Sequence, residues 1–234
     1  MRVGFDLVHQ ARRLAVHRLV CRARLIALLD LLVGVWLTAV GPCRLLLRLL
    51  NTNTTVIGAG AVHLWLRSST PDVDLQATVS EVRPDGNETF VQNGWLRASE
   101  RKLDTTSNNL LDQRSTLLEP VLSMRAADAS PMPKNKFVEV VIPLYYEGHA
   151  YRAGSRIRIT IAAPNGTQPI WAFTQTVPKR AATESIAFSK SRPSSLILPV
   201  VPGVTVPTSL PPCPSLRNEP CRPYMALANR TATH

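Results

Sequence analysis

The stretch Arg156–Ala162, RIRITIA, constrains the fold of this chain most. Ile157, Ile159 and Ile161 fall on one side of an extended backbone. Arg156, Arg158 and Thr160 fall on the other. An amphipathic helix repeats its apolar residues every three to four positions, so a strict period of two reads as a strand with one face on a core. The same period recurs upstream. In AVHLWLR, Val62, Leu64 and Leu66 oppose His63, Trp65 and Arg67. In DLQATVSEV, Leu75, Ala77 and Val79 share a face. Pro84-Asp85-Gly86 follows; proline presets φ and glycine accepts a positive φ, so the chain turns there. ETFVQ then returns as the hairpin partner. Asn93-Gly94-Trp95 reads as a further turn, leading into LRAS.

The remaining body continues the pattern. KFVEVVIPLYYEG is a strand that Pro143 ends, bulges or places at an edge. Pro164-Asn165-Gly166 is a turn, and ESIAFSK and SSLILPVV are two more strands. Residues 99–120 form a long polar loop with a helical turn. Nineteen prolines against 11 glycines suit many turns and an extended tail better than a helical bundle. Short strands separated by turn signals predict an all-β fold, an antiparallel jelly-roll-like β-sandwich over residues 51–202. Residues 203–234 are expected to form a proline-rich extended tail. A sandwich of this length buries a core without help from a metal or a disulfide.

Residues 1–50 differ in character and are expected to form a separate segment, helical or disordered. They hold eight arginines, no lysine and two acids, a net of +6 within a total of +11. From Leu31 to Cys43 there is no charge, a run too short to span a bilayer. Extending it back to Leu25 takes in Asp30 at a cost. Three readings stand side by side: a signal peptide or anchor, an amphipathic helix on a membrane or partner, or a non-native start. Membrane contact is expected through residues 25–50, with an extracytoplasmic or membrane-anchored location favoured over a cytoplasmic one. The rest of the chain carries only +5, scattered along strands and loops. With no helix-turn-helix, zinc-finger or RNP-like pattern, no nucleic-acid partner is expected.

Chemistry-bearing residues are sparse, and no catalytic, cofactor-binding or metal-binding residue is assigned. No serine has glycine at both −2 and +2, so the nucleophile elbow of α/β-hydrolases is missing; Ser155, in AGSRI, comes nearest. Only His63 and His149 belong to the body of the chain, and nothing local argues for a triad. Asp72 and Asp74 form a D-x-D. They are read as turn-forming joints rather than as a calcium pair, which would need more oxygen ligands. Trp65, Trp95 and Trp171 are read as core or interface residues, with a sugar-stacking platform as the alternative. Cys213 and Cys221 end a nine-residue stretch, CPSLRNEPC, that a local disulfide would close. No cofactor is expected.

Several blocks in order resemble one family. GAGAVHLWLRSSTPDVDLQATVSEVRPDG, NGWLRASERKLD, FVEVVIPLYYEGHAYRAGSRIRITIAA and SRPSSLILPVVP resemble the C-terminal domain of the X-Pro dipeptidyl-peptidase-like hydrolases, the cocaine esterase, acyl-esterase and glutaryl-acylase group. The likeness runs from about Asn51 to about Pro202. It implies a jelly roll that packs on an α/β-hydrolase domain and helps to wall its entrance. Members are serine hydrolases whose catalytic serine, aspartate and histidine precede this domain, and no position here matches them. The resemblance therefore implies a domain that is inactive alone, with an absent α/β-hydrolase domain as its partner. The alternative is a stand-alone extracytoplasmic binding module, a carbohydrate-binding-like sandwich. The face that meets a partner is expected to be apolar and exposed.

Overall fold

The computed structural model describes residues 10–15, 21–25, 43–108, 116–164, 182–189, 191–206, 209–214 and 221–226. In chain order the strands are β1 (Gln10–Ala15), β2 (Cys21–Leu25), β3 (Cys43–Leu49), β4 (Thr54–Gly58), β5 (Ala61–Ser68), β6 (Asp74–Val82) and β7 (Asn87–Arg97). They continue as β8 (Val138–Pro143), β9 (Glu147–Tyr151), β10 (Arg156–Ala162), β11 (Ala182–Ala187), β12 (Ser195–Val201) and β13 (Cys221–Pro223). Among the described residues the only helical elements are two 3-10 turns, Ala98–Glu100 and Ala126–Asp128. The strands form two antiparallel sheets, and the predicted all-β sandwich is the fold. The first sheet runs β2-β11-β5-β12-β4-β9, with β1 also on β12 and β8 on β5. The second runs β13-β7-β6-β10-β3.

Alternation places the core between the sheets. Val62, Leu64 and Leu66 of β5, Val140 and Ile142 of β8, and Leu196 and Leu198 of β12 face it from the first sheet. Leu75, Ala77 and Val79 of β6 meet Ile157, Ile159 and Ile161 of β10 on the second, with Val79 opposite Ile159 and Ala77 opposite Ile161. Each such aliphatic side chain, fully buried, contributes about 1.5–3 kcal/mol. The β6–β7 hairpin closes where the proline-aspartate-glycine signal predicts: Gly86 has φ +81, and Arg83 N donates to Asn87 O at 2.8 Å.

The structure differs from the sequence expectation in three places. Asn93-Gly94-Trp95 is not a turn; β7 runs straight through it, pairing Asn93 with Thr78 and Trp95 with Gln76. The glycine is there for space, because a Cβ on Gly94 would lie 1.9 Å from Pro143 O of the opposite sheet. In the leading segment, residues 10–15, 21–25 and 43–49 are strands rather than helix. CRLLLRL forms β3, antiparallel to β10, and Cys43, Leu45 and Leu47 enter the core, so the sandwich begins before Asn51. Of the stretch 25–50 expected to reach a membrane, residues 26–42 lie outside the described residues. No helix among the described residues is long and apolar enough to cross a membrane. Finally, the tail is not merely extended. Cys213 and Cys221 are bridged, their Cα atoms 5.6 Å apart, and β13 pairs with β7.

Candidate functional site

Glu81, near the end of β6, is 3% exposed and faces the interior. His149 Nε2, on β9 of the other sheet, lies 2.8 Å from its Oε2. Ser155 Oγ donates to its Oε1. Ser155 sits behind the tight turn at Gly154, whose φ of +87 suits glycine. Burial by itself would push the Glu81 carboxyl up. The bonds from His149 and Ser155 outweigh it and hold the group below its ordinary value. The His149 ring meets Tyr151 edge-on at 4.6 Å. The Tyr151 hydroxyl is fully buried, and desolvation together with the Glu81 charge raises it above its ordinary range.

Serine, histidine and a carboxylate thus meet in space, but in the wrong order for hydrolysis. In a catalytic triad the imidazole stands between nucleophile and acid, taking the serine proton while the acid orients the ring. Here the carboxylate stands between. Ser155 Oγ donates a hydrogen bond to Glu81, His149 bonds the other oxygen, and Ser155 is 0% exposed. The cluster pins the two sheets together at one end of the sandwich and offers no nucleophile to a substrate.

The acids around β6 are all engaged in structural bonds. Asp72 Oδ1 accepts from Val73 N and Ser99 N, each at 2.9 Å, and its Oδ2 accepts from Ser99 Oγ at 2.8 Å. Asp74 forms an ion pair with Arg97 at 2.8 Å. Asp85 pairs with Arg83 at 2.8 Å and accepts from Asn87 N at 3.0 Å, and the Arg83 bond first of all lowers its pKa. Only Asp85 has the Asx-turn geometry; Asp72 and Asp74 instead tie the β5–β6 connection and the start of β6 to Ser99 and to the end of β7. His63 pairs with Glu139 at 2.8 Å on the outer face of the first sheet. Among the described residues no group of three or more His, Cys, Asp or Glu side chains is arranged to hold a metal ion.

The tryptophans separate. Trp65 alternates with the core residues of β5 and so stands on the outer face of the first sheet. Trp95, paired with Gln76, stands on the outer side of the second, its Nε1 donating to Gln76 Oε1 at 3.1 Å. They share no platform, and Trp171 lies outside the described residues. Trp95 instead meets Tyr145 edge-on at 5.3 Å in a groove of about 560 Å³. Leu96, Leu122, Met124, Pro143 and Leu144 contribute to its apolar lining, and Arg97, Asp74 and Glu100 supply charge. Met124 is 70% exposed with φ +52, and Tyr145 and Tyr146 are also exposed. An apolar side chain left in water on a left-handed backbone is the least settled feature of this surface. The sequence reading missed this groove, because its walls come from β7, from the segment after β8 and from the loop around residue 122.

Similarities to known proteins follow the same outline. The fold is shared with a CocE/NonD family hydrolase from Staphylococcus aureus, at TM-score 0.62 and 19% identity, over 85% of this chain and 38% of that one. An aminopeptidase from a marine sediment Thaumarchaeota archaeon matches at TM-score 0.50 and 18% identity, over 68% of this chain and 25% of that one. An α-amino acid ester hydrolase matches at TM-score 0.50 and 19% identity, over the same shares. The chain therefore spans well under half the length of these hydrolases. No curated protein matches it. Residues 49–197 match the X-Pro dipeptidyl-peptidase C-terminal non-catalytic domain, a stretch that takes in strands β4 to β11 and the start of β12. The chain belongs to the family of X-Pro dipeptidyl-peptidase C-terminal non-catalytic domains.

Proposed function

We propose that this chain acts as the β-sandwich of an X-Pro dipeptidyl-peptidase-like serine hydrolase, packing on an α/β-hydrolase domain and helping to form and steady its active-site entrance. The observation that carries the reading is the family match over residues 49–197, together with a fold that occupies 38% of a CocE/NonD hydrolase. Two features of this chain support it. The buried Ser155–Glu81–His149 cluster fastens the sheets and leaves no nucleophile exposed. The Trp95–Tyr145 groove leaves an apolar wall open of the kind that a neighbouring domain covers.

A chimera tests the reading. The full chain replaces the C-terminal β-domain of a CocE/NonD hydrolase, and hydrolysis of p-nitrophenyl acetate is compared with that of the enzyme lacking the domain. The proposal expects the chimera to be soluble and at least tenfold more active than the truncated enzyme. A chimera that folds but is no more active than the truncated enzyme counts against it. Specific retention of a sugar by the full chain on a glycan array would favour the stand-alone binding module instead.

A further inference from the structure

Residues 209–214 and 221–226 lie beyond the matched stretch 49–197, yet they are tied back to the sandwich at both ends. At the near end Arg83 Nη2 donates to Pro211 O at 2.6 Å, and Arg152 Nη2 to Ser209 O at 3.4 Å. At the far end Cys221, Arg222 and Pro223 pair with Thr89, Glu88 and Asn87, and Tyr224 N donates to Gly86 O at 2.9 Å. The Cys213–Cys221 bridge joins the two ends.

Beneath the tail lies an ion pair that alternation would have left in water. Arg158 belongs to the outward face of β10, but it is 3% exposed and Glu88 is 4% exposed. Arg158 Nη1 donates to Glu88 Oε2 at 2.8 Å, Ser80 Oγ to Oε1 at 2.7 Å, and Arg222 Nη2 to Oε2 at 3.2 Å. The Arg158 guanidinium carbon lies 5.4 Å over the Tyr224 ring. Three paired residues at a sheet edge hold weakly by themselves. The bridge keeps β13 beside an end that Arg83 already anchors.

We propose that residues 209–214 and 221–226, held together by the Cys213–Cys221 bridge, form a strap along the β7 edge of the second sheet, and that thiol–disulfide exchange at that bridge opens it. Both cysteines are partly exposed and so within reach of a reductant. A dithiol supplies the two electrons. One of its thiolates attacks a bridge sulfur, breaking the S–S bond and forming a mixed disulfide. Its second thiolate then displaces the remaining cysteine, leaving Cys213 and Cys221 as thiols, each with a proton, and the dithiol as its own disulfide. Opening exposes the Glu88–Arg158 pair and leaves the backbone edge of β7 unpaired, a template for another extended segment.

Hydrogen–deuterium exchange on the full chain tests this. In the Cys213→Ser/Cys221→Ser variant, and in wild-type chain treated with dithiothreitol, exchange in peptides covering residues 87–89 and 221–224 is expected to rise at least tenfold. Exchange in β5 and β12 is expected to change less than twofold. Cys43 is also disulfide-bonded, so the serine variant isolates the tail bridge from the general effect of reduction. Unchanged exchange at 221–224, or an equal rise throughout the core, would overturn the proposal. Arg222→Gln with the bridge intact is expected to leave the strap protected. Exchange at 221–224 as fast as in the bridge-free variant would show that the ion pair, and not the disulfide, closes it.

Discussion

Two interior glutamates show how local donors decide the state of a buried acid. Glu81 receives bonds from His149 and Ser155, so its carboxylate is favoured despite burial. Glu184 on β11 is 5% exposed and receives one, from Ser68 Oγ at 2.8 Å, while its Oε2 has no partner among the described residues. Burial therefore dominates and pushes it from its ordinary 4.5 to about 7. The two groups bend the stability curve in opposite ways. The lowered Glu81 contributes stability above its unfolded pKa, which is lost as pH falls through its folded one. The raised Glu184 costs nothing in acid. As pH rises from 4.5 towards 7 the unfolded chain releases a proton that the folded chain keeps, so stability falls, and it levels off above 7. Glu184→Gln is expected to remove that fall, leaving the variant about 3 kcal/mol more stable than wild type at pH 8 and indistinguishable at pH 4. Urea unfolding at the two pH values checks this; an equal shift at both would mean that packing, not ionisation, governs the site.

Among the elements, the strands that were legible in the sequence are those whose two faces differ. β5, β6 and β10 alternate cleanly, and their apolar sides are the core. β9, EGHAY, carries no alternation; it is strand because β4 pairs along it from Thr54–Tyr151 to Gly58–Glu147. In CRLLLRL the outward Leu46 hides the period, and the arginine-leucine composition points to a leader instead. Gly94 is the sharpest case, since a glycine that permits a turn and a glycine that makes room for a crossing backbone look alike in one sequence. The candidate sites were not legible for a related reason. Glu81 stands 68 residues from His149 and 74 from Ser155, so no local spacing signals their meeting. Gly94→Ala is expected to force β7 from β8 and cost about 3 kcal/mol. Gly148→Ala, where a Cβ meets nothing within 4 Å, serves as the control and is expected to stay within about 0.5 kcal/mol of wild type. Urea midpoints for the pair test the crowding argument. Equal destabilisation would assign the effect to loss of glycine in a strand rather than to contact with Pro143 O.

For the whole molecule, many polar side chains of the described sandwich are spent on holding the two sheets and their connections together. Ser155 bonds Glu81, Asp72 bonds Ser99, Asp74 bonds Arg97, and Glu88 bonds Arg158. What remains open is an apolar groove beside Trp95 and Tyr145. On the function proposed above, catalysis is left to a neighbouring domain. Labelling the full chain with a fluorophosphonate, read by intact mass, tests this most directly, with a CocE/NonD hydrolase as the reactive control. The account predicts that the control gains the probe's mass while this chain keeps its own. A serine of this chain modified at a comparable rate would contradict it.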